Sequence, residues 1–141
     1  MKIRIVIIDG MGAGIGSQLI ARLKGVIDAE TEIIALGANA IAADRMIKAG
    51  AHRGASGENA IKVSAGEGDF IMGPIGIVIG NSMMGEITPA AAEAILAARG
   101  ERILLPLQNE HFFIAGLEQL SLAKMIDRAV DILQERLRKL S

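Results

Sequence analysis

From Lys2 to Ile8 the chain is rich in Ile and Val, and at Gly10 it changes character. Gly10, Gly12, Gly14 and Gly16 fall on alternate positions. Beyond them Ile15, Leu19, Leu23 and Ile27, with Ile20 beside them, recur at helical spacing. A β-rich run, a glycine loop and an amphipathic helix in that order make a strand–loop–helix unit.

The remainder repeats the alternation. Thr31–Leu36 ("TEIIAL") reads as a second strand and Ala40–Ala49 as a second helix, closed by Gly50. Residues 51–66 allow two readings. Ser56 could cap a short helix with Glu58 and Asn59 in its first turn, or "AIKVS" could be a strand; the helix is preferred. "FIMG" is a further strand, continuing through Pro74–Gly80 as apolar loop or strand. Thr88-Pro89 then caps and opens an Ala-rich helix that runs toward Gly100. "RILLPL" is another strand, and "HFFIAG" is read as one more. Ser121 caps a final helix carrying the stripe Leu122, Ile126, Ala129, Leu133, Leu137 and Leu140.

Strands alternating with helices through short connections give a three-layer, doubly wound α/β fold of Rossmann type. Its sheet is mostly parallel, its crossovers right-handed, and residues 1–141 form one domain. Composition agrees. Half of the residues are apolar, while Trp and Tyr are absent and Phe occurs only at 70, 112 and 113. A core of Ile, Leu, Val, Ala and Met suits helices on a parallel sheet better than a β-sandwich.

Several function classes drop out. A net charge of −1 without a basic stripe or stacking aromatics leaves nothing to follow a nucleic-acid strand. With no cysteine there is no disulfide, thiolate nucleophile or cysteine-held zinc, which suits a reducing cytoplasm. The N-terminus reads as a strand and not as a signal peptide. The uncharged stretch Phe70–Gly85, broken by Pro74, falls short of the roughly 20 residues of a membrane span. No metal site is assigned, and a metal-dependent phosphotransferase is the weakest reading, because only Asp9 and Glu86 offer carboxylates near the expected site. His52 and His111 lack ligand spacing and read as surface or loop histidines, and Asp9 has no second Asp two residues on, where Met11 stands.

Chemistry is expected beyond the carboxyl ends of the strands, where strand order reverses. At the glycine loop, backbone N–H groups opening the first helix could receive negative charge, and glycines would let an anion approach. A tight turn with no ligand is the alternative. The loop has neither the glycine spacing of G-x-G-x-x-G nor the lysine of a P-loop. Its "GMGAGIG" resembles the cofactor loop of the short-chain dehydrogenases in Gly10, Gly14, Ile15 and Gly16, with Asp9 where they usually carry Thr. The likeness ends with the second strand. The Tyr and Lys those enzymes use for proton transfer have no counterpart here, and no acid or Arg after Leu36 awaits an adenosine ribose or its 2′-phosphate. Asp9 would repel a bare phosphate unless it caps amides, bonds a ribose or holds a metal.

A second polar group, Asn81, Ser82, Glu86 and Thr88, stands in apolar surroundings and should open on the same sheet edge. Glu86 is the candidate general base, or else Glu86 and Asn81 satisfy loop amides. Asn39 could lie near an adenosine, or cap the second helix. "HRGASGEN" is an ordinary polar loop, with Arg53 able to pair an anion.

Over nearly its full length the chain also resembles a family of short bacterial proteins known only as a domain of unknown function. The carrying stretches are "IDGMGAGIG", "EIIALGANAIA", "AGAHRGASGENAI", "GPIGIVIGNSMMGEITP" and "ILLPL". The resemblance implies a stand-alone Rossmann-like domain and no assigned activity.

Three functional expectations follow. The leading one is a nucleotide- or dinucleotide-binding module, with NAD or NADP as the candidate cofactor. Asp9, Gly10, Gly12, Gly14, Ile15 and Gly16 would lie at the phosphates, Asn39 near the adenosine, and Asn81, Ser82 and Glu86 at the other half. A chain this short would need a second subunit to close the pocket, so a homo-oligomer is expected. The second is an enzyme acting on a small anionic metabolite with Glu86 as base. The third is a non-catalytic oligomeric or regulatory protein whose glycine loop merely turns the chain.

Overall fold

The computed structural model describes residues 2–107 and 113–140. Strand β1 (Arg4–Asp9) leads through the glycine loop into α1 (Gly14–Lys24). Then come β2 (Glu32–Gly37), α2 (Ala40–Lys48), β3 (Arg53–Ser56), α3 (Glu58–Ser64), β4 (Phe70–Pro74), α4 (Pro89–Ala97), β5 (Glu101–Leu105) and α5 (Leu122–Leu140). Five strands form one parallel sheet in the order β3-β2-β1-β4-β5. Order reverses between β1 and β4: β2 and β3 extend to one side of β1, β4 and β5 to the other.

Side-chain alternation builds the layers. Ile5 and Ile7 of β1 face a cluster with Leu19, Ile20 and Leu23 of α1, Met46 of α2 and Val130 and Leu133 of α5. Val6 and Ile8 face the opposite cluster, with Ile61 of α3 and Ala91 and Ile95 of α4. Both sheet faces are covered, so β1 reads as a continuous apolar run instead of an alternating one. The doubly wound expectation is what the chain forms.

Three local expectations need correction. The polar stretch at residues 52–59 is not simply a loop, because Arg53–Ser56 pairs with β2 as the sheet's edge strand. Each of its residues is exposed, so it lacks the apolar signature by which strands are recognised. Helix α3 does follow, but its N-cap is Gly57, at φ +100°, and Ser56 ends the strand without capping it. Of the "HFFIAG" strand, His111 and Phe112 lie outside the described residues, and 113–116 form no strand. Pro74–Gly80 resolves into the end of β4 and a 3-10 turn at Ile75–Val78.

Apart from Ser56, the side chains expected to cap helices do so. Asn39 Oδ1 accepts from Ala42 N–H at 2.8 Å, Thr88 Oγ1 from Ala91 N–H at 3.1 Å, and Ser121 Oγ from Lys124 N–H at 3.3 Å. Among the described residues no helix is long and apolar enough to cross a membrane.

Candidate functional site at the β1/β4 switch point

The loops following β1 and β4 meet where strand order reverses, and between them lies a cavity of about 480 Å³. One wall is the glycine loop with Ile15 and Gln18 of α1. The other is Pro74–Gly76, Ile79, Ser82 and Met83, with Leu107 and Leu122 closing the β5–α5 side. The volume lies within the range of about 300–1,000 Å³ usual for small-molecule sites, and the walls are mostly apolar. It sits where ligands bind in open α/β sheets.

Asp9 forms part of the lining. It is only 4 % exposed, and with Thr31 it makes up the buried polar residues among those described. Its carboxylate turns back onto the loop it precedes. Oδ1 accepts from Gly10 N–H at 2.7 Å and Oδ2 from Gly16 N–H at 2.8 Å. Ala13 stands at the N-cap of α1 in the left-handed region (φ 55°) and offers no side-chain acceptor, so Asp9 caps the helix from the end of the strand. Burial pushes the Asp9 carboxyl above its ordinary range, the amides of Gly16 and Gly10 hold it down, and the nearby Glu86 charge raises it further.

Close approach explains two of the glycines. A Cβ on Gly16 would stand 2.7 Å from the Met46 sulfur and 3.0 Å from Asp9 Cβ. A Cβ on Gly10 would meet Glu86 Oε1 and the Met83 sulfur, both at 2.8 Å. These two glycines make room for the protein's own groups. At Gly14 an added Cβ would meet nothing within 4 Å.

Glu86 comes from the segment between β4 and α4, residues 79–88, which reaches over the end of β1 toward β2. Its Oε1 accepts from Met11 N–H at 2.6 Å, and Asn39 Nδ2 donates to Oε1 and Oε2 at 3.0 and 2.8 Å. The same Asn39 nitrogen reaches Met11 C=O at 3.0 Å, while its oxygen caps α2. One asparagine thus ties the glycine loop, the 79–88 segment and α2 together. Arg45 of α2 adds a further tie, donating from Nη1 to Gly12 C=O at 3.1 Å.

The loop donors are therefore unequally placed. Gly10 and Gly16 are bonded to Asp9, Met11 to Glu86, and Ala13 N–H to Gly10 C=O at 2.8 Å. Gly12 and Gly14, both lining the cavity, have N–H groups without an acceptor among the described residues. Ile15 also lines it, and its backbone N–H adds to those that hold the Asp9 carboxyl down. Ser82 lines it too, its hydroxyl donating to Gly76 C=O. Asn81 is exposed at φ 69° and holds the segment through its own N–H, 2.6 Å from Ile87 C=O. Neither Asn81, Asn39 nor Glu86 lines the cavity.

Elsewhere the polar clusters are structural. Arg53 pairs with Glu32 at 3.2 Å and with Glu67 at 3.7 Å. His52 Nδ1 accepts from Ile33 N–H at 2.9 Å, as β-edge support, and His111 lies outside the described residues. Among the described residues no three His, Cys, Asp or Glu side chains converge to hold a metal ion.

An all-parallel five-stranded α/β domain with a cavity at its switch point is a Rossmann-like module. Residues 4–138 match the family model of DUF3842, a domain of unknown function, and the chain belongs to that family. No curated protein matches it.

Proposed function

We propose that the protein binds a nucleoside-sized ligand, or the matching part of a nucleotide, in the β1/β4 cavity. The carrying observation is that Gly12 and Gly14, whose N–H groups have no acceptor among the described residues, line a mostly apolar space of about 480 Å³. Those donors suit a hydroxyl or carbonyl of the ligand, and the apolar walls suit a flat or aliphatic body. The Asp9 carboxylate already occupies the positive end of α1. A phosphate seated directly on Gly14 would face that carboxylate in a site of reduced dielectric, so the group nearest the helix is better uncharged.

The extent of the cavity also bears on NAD or NADP. An extended dinucleotide needs both sides of the switch point, and the β2 side is bridged by the Glu86–Asn39–Met11 contacts. The closed form therefore favours one moiety at a time. Glu86 has both oxygens engaged by N–H donors, which supports a structural role in this form above that of general base.

Calorimetric titration with adenosine, AMP and NAD tests the reading. Adenosine is expected to bind with a Kd of about 1 mM or tighter. Gly14→Val, which fills open space at the cavity wall, is expected to lose that binding and keep its thermal midpoint. Absence of binding by all three compounds overturns the reading.

A further inference from the structure

We infer that the corner formed by Met11 N–H, the Asn39 side-chain amide and Arg45 is a phosphate subsite, which the chain's own Glu86 carboxylate fills in the closed form. This rests on the nucleotide reading above and extends it to the β2 half of the crevice.

Three observations carry it. First, an anion is already seated there: Glu86 accepts from two nitrogens on different elements, the Met11 amide at 2.6 Å and the helix-capping Asn39 Nδ2 at 2.8 and 3.0 Å. Donors converging in this way also suit two oxygens of a phosphate. Secondly, the neighbouring cation has no carboxylate partner. Arg45 bonds only the Gly12 carbonyl and makes no ion pair among the described residues, although Lys48, one turn on, is paired with Asp44 at 2.8 Å. An incoming phosphate carries more charge than the carboxylate it replaces, and Arg45 stands one residue along the loop to meet it. Thirdly, the segment bearing Glu86 is built to let go. Asn81, Met83 and Met84 all lie in the left-handed region, at φ 69°, 56° and 57°, which Asn adopts readily but where the Cβ of each methionine crowds the backbone carbonyl. Met84 is 91 % exposed, while the flanking Ile87 is fully buried and anchors the segment's far end. Release of the Glu86 carboxylate lets the tip relax away from Met11 without disturbing α4.

Glu86 then acts as an internal competitor. With it in place the crevice offers only the half bounded by α1, β4 and α5. With it displaced, the crevice extends from that cavity to the end of β2, long enough for a nucleoside and its phosphate to lie across the switch point. The phosphate takes the place of a charge that Asp9 already feels from Glu86, and Arg45 is there to offset the excess.

The test compares adenosine, AMP and inorganic phosphate on the wild-type chain, Glu86→Ala and the closer mimic Glu86→Gln, by calorimetry and by the NMR shift of the Met11 amide. The expected result is that the ratio of AMP to adenosine affinity rises at least about tenfold in Glu86→Ala. Inorganic phosphate is expected to move the Met11 amide in that variant, and Arg45→Ala on the same background is expected to abolish both gains. Hydrogen exchange on the wild-type chain gives a reading that needs no variant: AMP is expected to speed exchange at the Glu86 amide. An unchanged AMP-to-adenosine ratio, with adenosine still bound, overturns the subsite and leaves the cavity reading intact. Phosphate binding to Glu86→Ala without adenosine binding supports the subsite and removes the cavity reading. An arginine-independent gain, or slower exchange at Glu86 with AMP, counts against displacement.

Discussion

Removing the Asp9 carboxylate should cost the protein a substantial part of its stability, even though a buried charge disappears with it. In Asp9→Ala the N–H groups of Gly10 and Gly16 lose acceptors at 2.7 and 2.8 Å. Hydrogen bonds to a charged group contribute about 1.5–3 kcal/mol each, which puts the gross loss at roughly 3–6 kcal/mol. Two effects reduce it. Burial raises the Asp9 carboxyl, which shows that the charged form is held at a cost, and water in the adjoining cavity can reach part of the vacated space. A net loss of about 2–4 kcal/mol remains, and at roughly 2–4 °C per kcal/mol for a chain of this size the thermal midpoint falls by about 5–15 °C. Urea denaturation of wild type and Asp9→Ala, with equal m-values, measures it. A variant within about 0.5 kcal/mol of wild type refutes the assignment of Asp9 as the cap of α1.

Asp9 also predicts a pH dependence. Its folded carboxyl is raised, so its contribution is most favourable below the ordinary carboxylate range and is lost as pH rises through the raised value. The stability deficit of the non-titrating Asp9→Asn relative to wild type is therefore expected to shrink from about pH 4 to pH 7 in chemical denaturation; a constant deficit contradicts this. Asn39→Ala removes the α2 cap and the donor to Glu86, and a loss of about 1–3 kcal/mol is expected by the same assay. Gly16→Ala drives a Cβ against Asp9 and Met46 and is expected to cost about 1–3 kcal/mol, whereas Gly14→Ala, with open space around it, is expected to change stability by less than about 1 kcal/mol.

What could be read from the sequence was local. The change from Ile/Val to glycine after Ile8 marks β1 and its loop. Thr88-Pro89 and Asn39 mark helix starts because a side-chain oxygen three residues before an unpaired N–H is a local device. The edge strand β3 escaped because it is four residues long, fully exposed and made of Arg, Gly, Ala and Ser, with no apolar face to reveal it. Gly57 opens α3 through its backbone conformation, which leaves no side-chain signal.

At the site, Asp9 and Glu86 could be singled out as carboxylates in apolar surroundings, and satisfying loop amides was one of the roles open to each. The particular pairing was not legible. Glu86 reaches Met11 across 75 positions of sequence, and only the sheet order, which puts β4 beside β1, brings them together. For the same reason the unequal fate of the loop donors, with Gly10, Met11 and Gly16 bonded and Gly12 and Gly14 open, emerges only from the folded chain.

The account turns on whether the space above Gly12 and Gly14 receives a ligand, and amide NMR reads that directly. Titrating the isotope-labelled chain with adenosine should move the Gly12, Gly14 and Ser82 amides together and saturably, while those of β3 stay in place. If these three resonances hold still at saturating adenosine, AMP and NAD, the cavity is not a binding site for this class of ligand.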